Sequence, residues 1–168
     1  LSHKEKSRGC SQITEVDGKS NSVTITPTGV SEPKTFTFDH CYDDVVSQEK
    51  VYEEIGAPTV SKSLEGYNST IFAYGQTGSG KTHSMMGNDE NPGIIPQLGK
   101  DLFSKIDQKL EQSKGPGSDT KYMVFVSFLE IYNEIIKDLL NPSDKQLKIR
   151  EGEEGIFVEG LCELIVRN

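Results

Sequence analysis

At 168 residues, of which 33% are hydrophobic and 26% charged, the chain has the length of one domain and enough apolar content for a core, so a disordered tail is excluded as its default state. A formal net charge of -8 argues against coating nucleic acid or anionic lipid through the overall field, while leaving room for a local basic patch. Cys10, Cys41 and Cys162 are widely spaced with no CxxC pair, as in a reduced cytosolic protein without a structural zinc site. No apolar run nears the roughly 18 residues of a spanning helix and no secretory leader opens the chain.

In chain order, residues 1 to 10 are polar, and Gln12 to Val16 and Ser22 to Thr26 read as two strands around Asp17-Gly18-Lys19, a hairpin signal. Phe36 and Phe38 alternate with threonine as in a half-buried strand. Ser47 can cap a helix along which Val51, Ile55, Val60 and Leu64 recur, with Gly56 and Pro58 expected to kink or split it and Gly66 to stop it. Thr70 to Tyr74 reads as a buried strand, followed by a glycine-rich loop and a helix from about Gly80 to Met86; Gly87 to Gly93 is a loop by composition. Pro96 sits where a helix can begin, and Ile95, Leu98, Leu102, Phe103, Ile106 and Leu110 then form an apolar face.

Ser113 to Thr120, with Gly115-Pro116-Gly117, is an exposed loop, and Tyr122 to Tyr132 is expected to be one long strand. Ile135, Ile136, Leu139 and Leu140 suggest a short helix ended by Pro142. Leu147 to Ile149 and Ile156 to Val158 read as the arms of a last hairpin around the Gly152 to Gly155 turn. The alternation implies an α/β layer fold with a mixed central β-sheet and helices on both faces. The chain opens on Leu1 and stops at Asn168 straight after Leu164, Ile165 and Val166, so both ends are expected to be cut.

Gly75-Gln76-Thr77-Gly78-Ser79-Gly80-Lys81-Thr82 fits G-x-x-x-x-G-K-[ST], the phosphate-binding P-loop, in the strand-then-helix context the pattern requires. Glycines let the backbone curl with its N–H groups inward, so a phosphate chain can sit at the positive end of the helix dipole. Lys81, the expected catalytic residue, adds a point charge toward the β and γ phosphates, and the Thr82 hydroxyl can complete the coordination of Mg²⁺. The alternative is a glycine-rich turn with a surface lysine.

The octet alone does not choose among kinases, GTPases, helicases and motors; its flanks do. "IFAYGQTGSGKTHSMMG", preceded by "LEGYNSTI", closely resembles the nucleotide-binding loop of the kinesin motor domain. "FTFDHCYDDVVSQEKVY", "NPGIIPQLGKDLF", "SFLEIYNEIIKDLLNP" and "LKIREGEEGIFVEGL" extend the resemblance, in order, over nearly the whole chain. It implies one motor domain, N-terminal part, over residues 1–168: a P-loop NTPase that binds ATP and Mg²⁺, hydrolyses ATP and moves along microtubules in the cytoplasm. It also implies no nucleic-acid partner, no membrane contact from this domain, and dimerisation, where it occurs, through regions outside the chain.

Carried over by position, Gly75 to Thr82 would hold phosphate and Mg²⁺, and His83 would stack on adenine; read by itself, a histidine in the first turn of a helix is more often a polar surface residue. The family's Arg-x-Arg-Pro wall for adenine is expected to precede Leu1. Its Asn-x-x-Ser-Ser-Arg-Ser-His and Asp-Leu-Ala-Gly-Ser-Glu loops, which position water and sense the γ phosphate, are expected beyond Asn168. The fragment alone is therefore expected to be inactive. Glu130 can be nominated as a Walker-B-like carboxylate, although the resemblance makes "EIYNE" a structural strand end. Arg150 matches a basic position for the acidic track, with Glu153 and Glu154 in the same turn. Two other readings remain: a kinesin-like module that binds nucleotide or microtubules without turnover, and another P-loop ATPase or kinase.

Overall fold

The computed structural model describes residues 3–29, 32–114, 120–143, 146–153 and 155–167. Two compact units divide the chain, Leu1–Lys105 and Ile106–Asn168.

The first unit opens with a short helix not expected from the sequence, α1 (His3–Ser7), and then builds a three-stranded antiparallel sheet from β1 (Thr14–Asp17), β2 (Ser22–Ile25) and β3 (Lys34–Thr37) in the order β1-β2-β3. Asp17 pairs with Ser22 at the hairpin end, and the Asp17 carboxylate accepts from Lys19 N and Ser20 Oγ, so the polar turn closes on its own side chain.

The capping role expected of Ser47 is present: its Oγ accepts from Lys50 N at 3.2 Å and opens α2 (Gln48–Val51). The helical path continues as a π-helical turn, Tyr52–Gly56, before α3 (Ala57–Leu64). Pro58 supplies the cause, because it has no N–H for the carbonyl one turn back, and the wider turn instead lets Ala57 N reach Tyr52 O. At the other end Gly66 takes φ 99°, and Gly66 N and Tyr67 N donate to Ser63 O and Lys62 O, the Schellman arrangement that ends the helix.

Three helices carry the buried part of this unit. Tyr52 (8% exposed), Val60 (2%) and Ile94 (5%) come from the π turn, α3 and the start of α5 (Ile94–Gln112). The expected apolar face of α5 needs one correction, since Ile95 is 46% exposed and Ile94 takes the buried place. A second stripe, Gln97, Asp101 and Lys105, follows the helix at four-residue steps and is polar. Gln97 Nε2 donates to Gln48 O, the Tyr52 hydroxyl to Asp101 Oδ2 at 2.7 Å, and Lys105 Nζ to Asp101 Oδ2 and Ser61 Oγ. Burial and the Asp101 carboxylate together push the Tyr52 hydroxyl well above its ordinary range.

In the second unit β4 (Val124–Val126) pairs with β9 (Leu164–Val166), β5 (Leu129–Tyr132) with β6 (Ile135–Asp138), and β7 (Lys148–Gly152) with β8 (Gly155–Glu159), all antiparallel. The expected long strand from Tyr122 to Tyr132 is thus two strands, β4 and β5, each with its own partner. The expected helix over Ile135 to Leu140 is β6 instead. Asn133 (φ 47°) and Glu134 (φ 64°) form a two-residue loop with positive φ at both positions, the type I′ pattern that matches strand twist, so the chain reverses before a helix can start. Ile136 and Asp138 are then buried and Ile135 and Lys137 exposed, the alternation of a strand.

Asp138 is 7% exposed and satisfied by the main chain alone: Oδ1 accepts from Leu140 N and Asn141 N, and Oδ2 from Cys162 N at 2.7 Å. The Cys162 N–H, the largest of these influences, holds the carboxyl below its ordinary value. The last hairpin stands as expected, with Gly152 opposite Gly155. The loop expected at Gly115-Pro116-Gly117 and the side chain of Glu154 lie outside the described residues. No helix among the described residues is long and apolar enough to cross a membrane.

Candidate functional site

The segment Thr70 to Tyr74, expected as a buried strand, has no ladder partner among the described residues, and Phe72 and Tyr74 are 82% and 94% exposed. A central strand is made by its neighbours, and with no such neighbour among the described residues the run stands outside any ladder. The loop that follows is nevertheless closed by local bonds. Ser79 N donates to Gln76 O at 3.1 Å, Gly78 and Gly80 have φ 84° and 96°, and α4 (Lys81–Met85) starts directly after Gly80. No atom lies within 4 Å of where a Cβ would stand on Gly78 or Gly80, so these glycines serve backbone curvature, and the space beside them is open for a ligand. At Gly75 the corresponding place is filled by the Ser79 side chain.

Lys81 is half-buried, and Nζ donates to Gly75 O at 2.8 Å and Gln76 O at 2.9 Å. Two of the three ammonium donors thus clasp the first turn of the loop, and the positive charge is held at its mouth. Thr82, exposed in the first turn of α4, leads the helix: Met86 N and Gly87 N both donate to its carbonyl. The five-residue helix is short, and its start lies where curled backbone, lysine and hydroxyl meet.

His83 is exposed on α4, and its partner was invisible to local pattern. Gln48 Nε2 lies 2.6 Å from His83 O and 3.2 Å from His83 Nδ1, although the two residues are 35 apart in sequence. Gln97 Nε2 in turn donates to Gln48 O and to Pro92 O, which ties α5, α2 and the loop ahead of α5 together. No sequence signal marks such a glutamine, since its amide can bond either a donor or an acceptor anywhere on the surface.

Beneath the loop lies a cavity of about 310 Å³ lined by Val51, Ile55, Phe72, Lys81, Met85 and Ile94 among others. Its walls are largely apolar, which suits packing rather than phosphate. Close by, Glu54 accepts from the Tyr42 hydroxyl at 2.8 Å, pairs with Lys50 Nζ at 2.8 Å and lies 3.3 Å from His40 Nδ1. Lys50 first and Tyr42 second hold the Glu54 carboxyl below its ordinary value, and burial raises the Tyr42 hydroxyl to about 12. This knot fixes the approach to α2, and with it Gln48. Among the described residues no group of three or more His, Cys, Asp or Glu side chains could hold a metal ion.

The other nominated residues sit in hairpins. Glu130 is exposed and opposite Lys137 in the β5-β6 ladder. Arg150 Nε donates to Glu159 Oε2 at 3.0 Å across the β7-β8 ladder, both side chains more than half exposed.

Comparison with known proteins agrees with this geometry. The chain is 44% identical over 156 residues to the kinesin-like protein KIN-12E of Oryza sativa subsp. japonica, covering 87% of this chain and 8% of that protein. It is 45% identical over 143 residues to the human kinesin-like protein KIF15, covering 80% of this chain and 10% of that one. Among solved structures, a KIF14 dimer in a two-heads-bound state with AMP-PNP, in complex with a microtubule, superposes with TM-score 0.84 at 37% identity, covering 99% of this chain and 47% of that chain. A KIF14 structure with ADP, in complex with a microtubule, gives TM-score 0.80 at 38% identity. The chain therefore spans about half of these solved chains and about a tenth of the curated relatives. A family profile described as the kinesin motor domain matches residues 1–168, and with it the chain, an α/β P-loop fold, belongs to the kinesin motor domain family.

Proposed function

We propose that this chain is the nucleotide-binding part of a microtubule motor, in which Gly75 to Thr82 cradle the phosphates of ATP and the full-length protein couples its hydrolysis to movement along microtubules. The observation that carries the proposal is the loop itself: two positive-φ glycines beside open space, followed at once by Lys81 and Thr82 at the start of a helix, in a chain matched throughout by the kinesin motor profile. Relatives of like fold are bound to AMP-PNP, to ADP and to microtubules, which supports the same ligands here.

In this reading the backbone N–H groups of the loop, apart from that of Ser79 which closes on Gln76 O, face the phosphates, and the Lys81 ammonium exchanges the Gly75 and Gln76 carbonyls for phosphate oxygens. Thr82 offers its hydroxyl to Mg²⁺, whose other ligands would be phosphate oxygens and water. When bound, the ion neutralises charge on the phosphoryl oxygens. His83 offers a ring face to the base. The carboxylate reading of Glu130 loses ground to its place opposite Lys137. Arg150 reaches the acidic track only by leaving Glu159, an exposed pair worth about 0.2–1 kcal/mol. Localisation on cytoplasmic microtubules follows from the proposed partner.

The test is microtubule-stimulated phosphate release by the full-length protein, beside Lys81→Ala. The variant should lose nearly all MgATP binding and turnover, because the loop loses its charge on the phosphates. Wild-type turnover in Lys81→Ala would remove the octet from the mechanism.

A further inference from the structure

We propose that Gln48, on α2, is a positioning residue for the nucleobase: it locks the backbone and ring of His83 so that the imidazole presents a neutral face with its proton on Nε2. The inference rests on the reading of His83 as the base-stacking residue and goes beyond it, because it names the group that orients the ring.

The hydrogen-bond roles follow by elimination. His83 O can only accept, and at 2.6 Å from the Gln48 side-chain nitrogen it requires the amide NH₂, not the amide oxygen, on this side. The same NH₂ lies 3.2 Å from His83 Nδ1, so that ring nitrogen faces a donor and must itself be an acceptor. An imidazole whose Nδ1 accepts carries its proton on Nε2 and is uncharged. One amide thus fixes the first-turn backbone of α4, the ring angle and the tautomer.

Gln48 is itself held. It is half-buried, stands directly after the Ser47 cap, and its carbonyl accepts from Gln97 Nε2, whose other contact is Pro92 O. These bonds fix the backbone from which the Gln48 side chain reaches His83, so the amide starts from a set position on α2. The arrangement couples the base site to α2 and α5 rather than to the phosphate loop. Its loss should therefore affect recognition of the base and leave the phosphates alone.

The experiment uses the full-length protein and two probes, ATP and inorganic tripolyphosphate, with Gln48→Met, Gln48→Glu, His83→Ala and the double variant Gln48→Met/His83→Ala. Met keeps the stem without the amide; Glu keeps the shape but sets a carboxylate oxygen against the His83 carbonyl. Gln48→Met should weaken ATP by roughly 2- to 10-fold, the worth of neutral hydrogen bonds, and leave tripolyphosphate affinity and the thermal midpoint unchanged. Gln48→Glu should not rescue it, and the double variant should match His83→Ala in its selectivity between ATP and tripolyphosphate, since the amide reaches the base only through the ring while its bond to the carbonyl of residue 83 remains in His83→Ala. Imidazole nitrogen resonances of isotope-labelled histidine, assigned with His83→Ala, should show the proton on Nε2.

If His83→Ala weakens ATP and tripolyphosphate equally, the stacking reading fails and this inference with it. If His83→Ala is selective for ATP while Gln48→Met binds both probes like the wild type, or the proton lies on Nδ1, stacking stands and the role of Gln48 is overturned.

Discussion

The two units of the chain are held together differently. In Leu1–Lys105 the decisive bonds are made by side chains between helices far apart in sequence: Tyr52 to Asp101, Lys105 to Ser61, Gln97 to Gln48, Gln48 to His83. In Ile106–Asn168 the order comes from main-chain ladders and tight reversals, with the Asp138 carboxylate gathering three backbone N–H groups. Both units leave large apolar side chains outside, Phe72 and Tyr74 in the first and Phe125, Ile131, Ile156 and Ile165 in the second each more than half exposed, while Ile136 and Leu147 are buried in the second. A hairpin satisfies its polar backbone without burying much, whereas packed helices must satisfy polar side chains because those side chains are no longer in water. The glycine loop is closed by its own local bonds, whereas His83 on the following helix is held by the first kind of structure and depends on a long-range contact.

Deleting a buried side chain should therefore have its largest effect in the first unit. Ile94 is 5% exposed, and Ile94→Ala in the full-length protein should lose about 2–5 kcal/mol of stability, the range for large-to-small core changes. Ile95→Ala, next in sequence but 46% exposed, should stay within about 0.5 kcal/mol. Denaturant midpoints of the two variants measure this directly, and a greater loss in Ile95→Ala than in Ile94→Ala would show that the helix is turned the other way.

That one-residue shift shows where the sequence is legible. Elements signalled by their own residues were readable: the Asp-Gly hairpin, the Ser47 cap, the break at Pro58, the stop at Gly66 and the glycine loop each rest on local chemistry. The stripe Gln97, Asp101, Lys105 was not, because polar residues at four-residue steps also describe a solvated helix face. Phe72 and Tyr74 read as interior because they are apolar, yet a strand's burial is decided by neighbours that its own residues do not encode. Ile135 and Ile136 followed by Leu139 and Leu140 have helical spacing, and the reversal at Asn133-Glu134 overrides it. The loop and His83 are nominated by motif and resemblance; the contact of His83 with Gln48 is not legible, since no pattern joins residues 35 apart.

Acid should act on the second unit through Asp138. The folded-state pKa is depressed, so the stabilisation is fully present above the ordinary aspartate value of 3.8 and is lost as pH falls below it toward the folded value. Asp138→Asn cannot reproduce the three contacts, because one amide hydrogen must then face a backbone N–H, and it should be destabilised at neutral pH. Urea midpoints from about pH 5 to about pH 3 should fall for the wild type and fall less for the variant. A wild-type midpoint with no greater acid loss than the variant would remove Asp138 from the tether between β6 and the segment at Cys162.

The smallest effect, and the finest test of turn-controlled order, belongs to Glu134. Its φ of 64° is left-handed, where a side chain costs about 1–2 kcal/mol, and the neighbouring Asn133 at φ 47° is the residue type that tolerates this best. Glycine removes the Cβ penalty but adds about 0.5–1 kcal/mol of entropy to the unfolded chain. Glu134→Gly should thus raise stability by up to about 1.5 kcal/mol, the difference of these two terms, and create Asn-Gly, the favoured pair for a type I′ loop. The gain requires the two-residue loop between Tyr132 and Ile135; a helix over Ile135 to Leu140 would gain nothing from a glycine just ahead of it. A denaturant midpoint raised in Glu134→Gly supports the hairpin, and one lowered by the substitution would return these residues to the helix that their apolar spacing suggests.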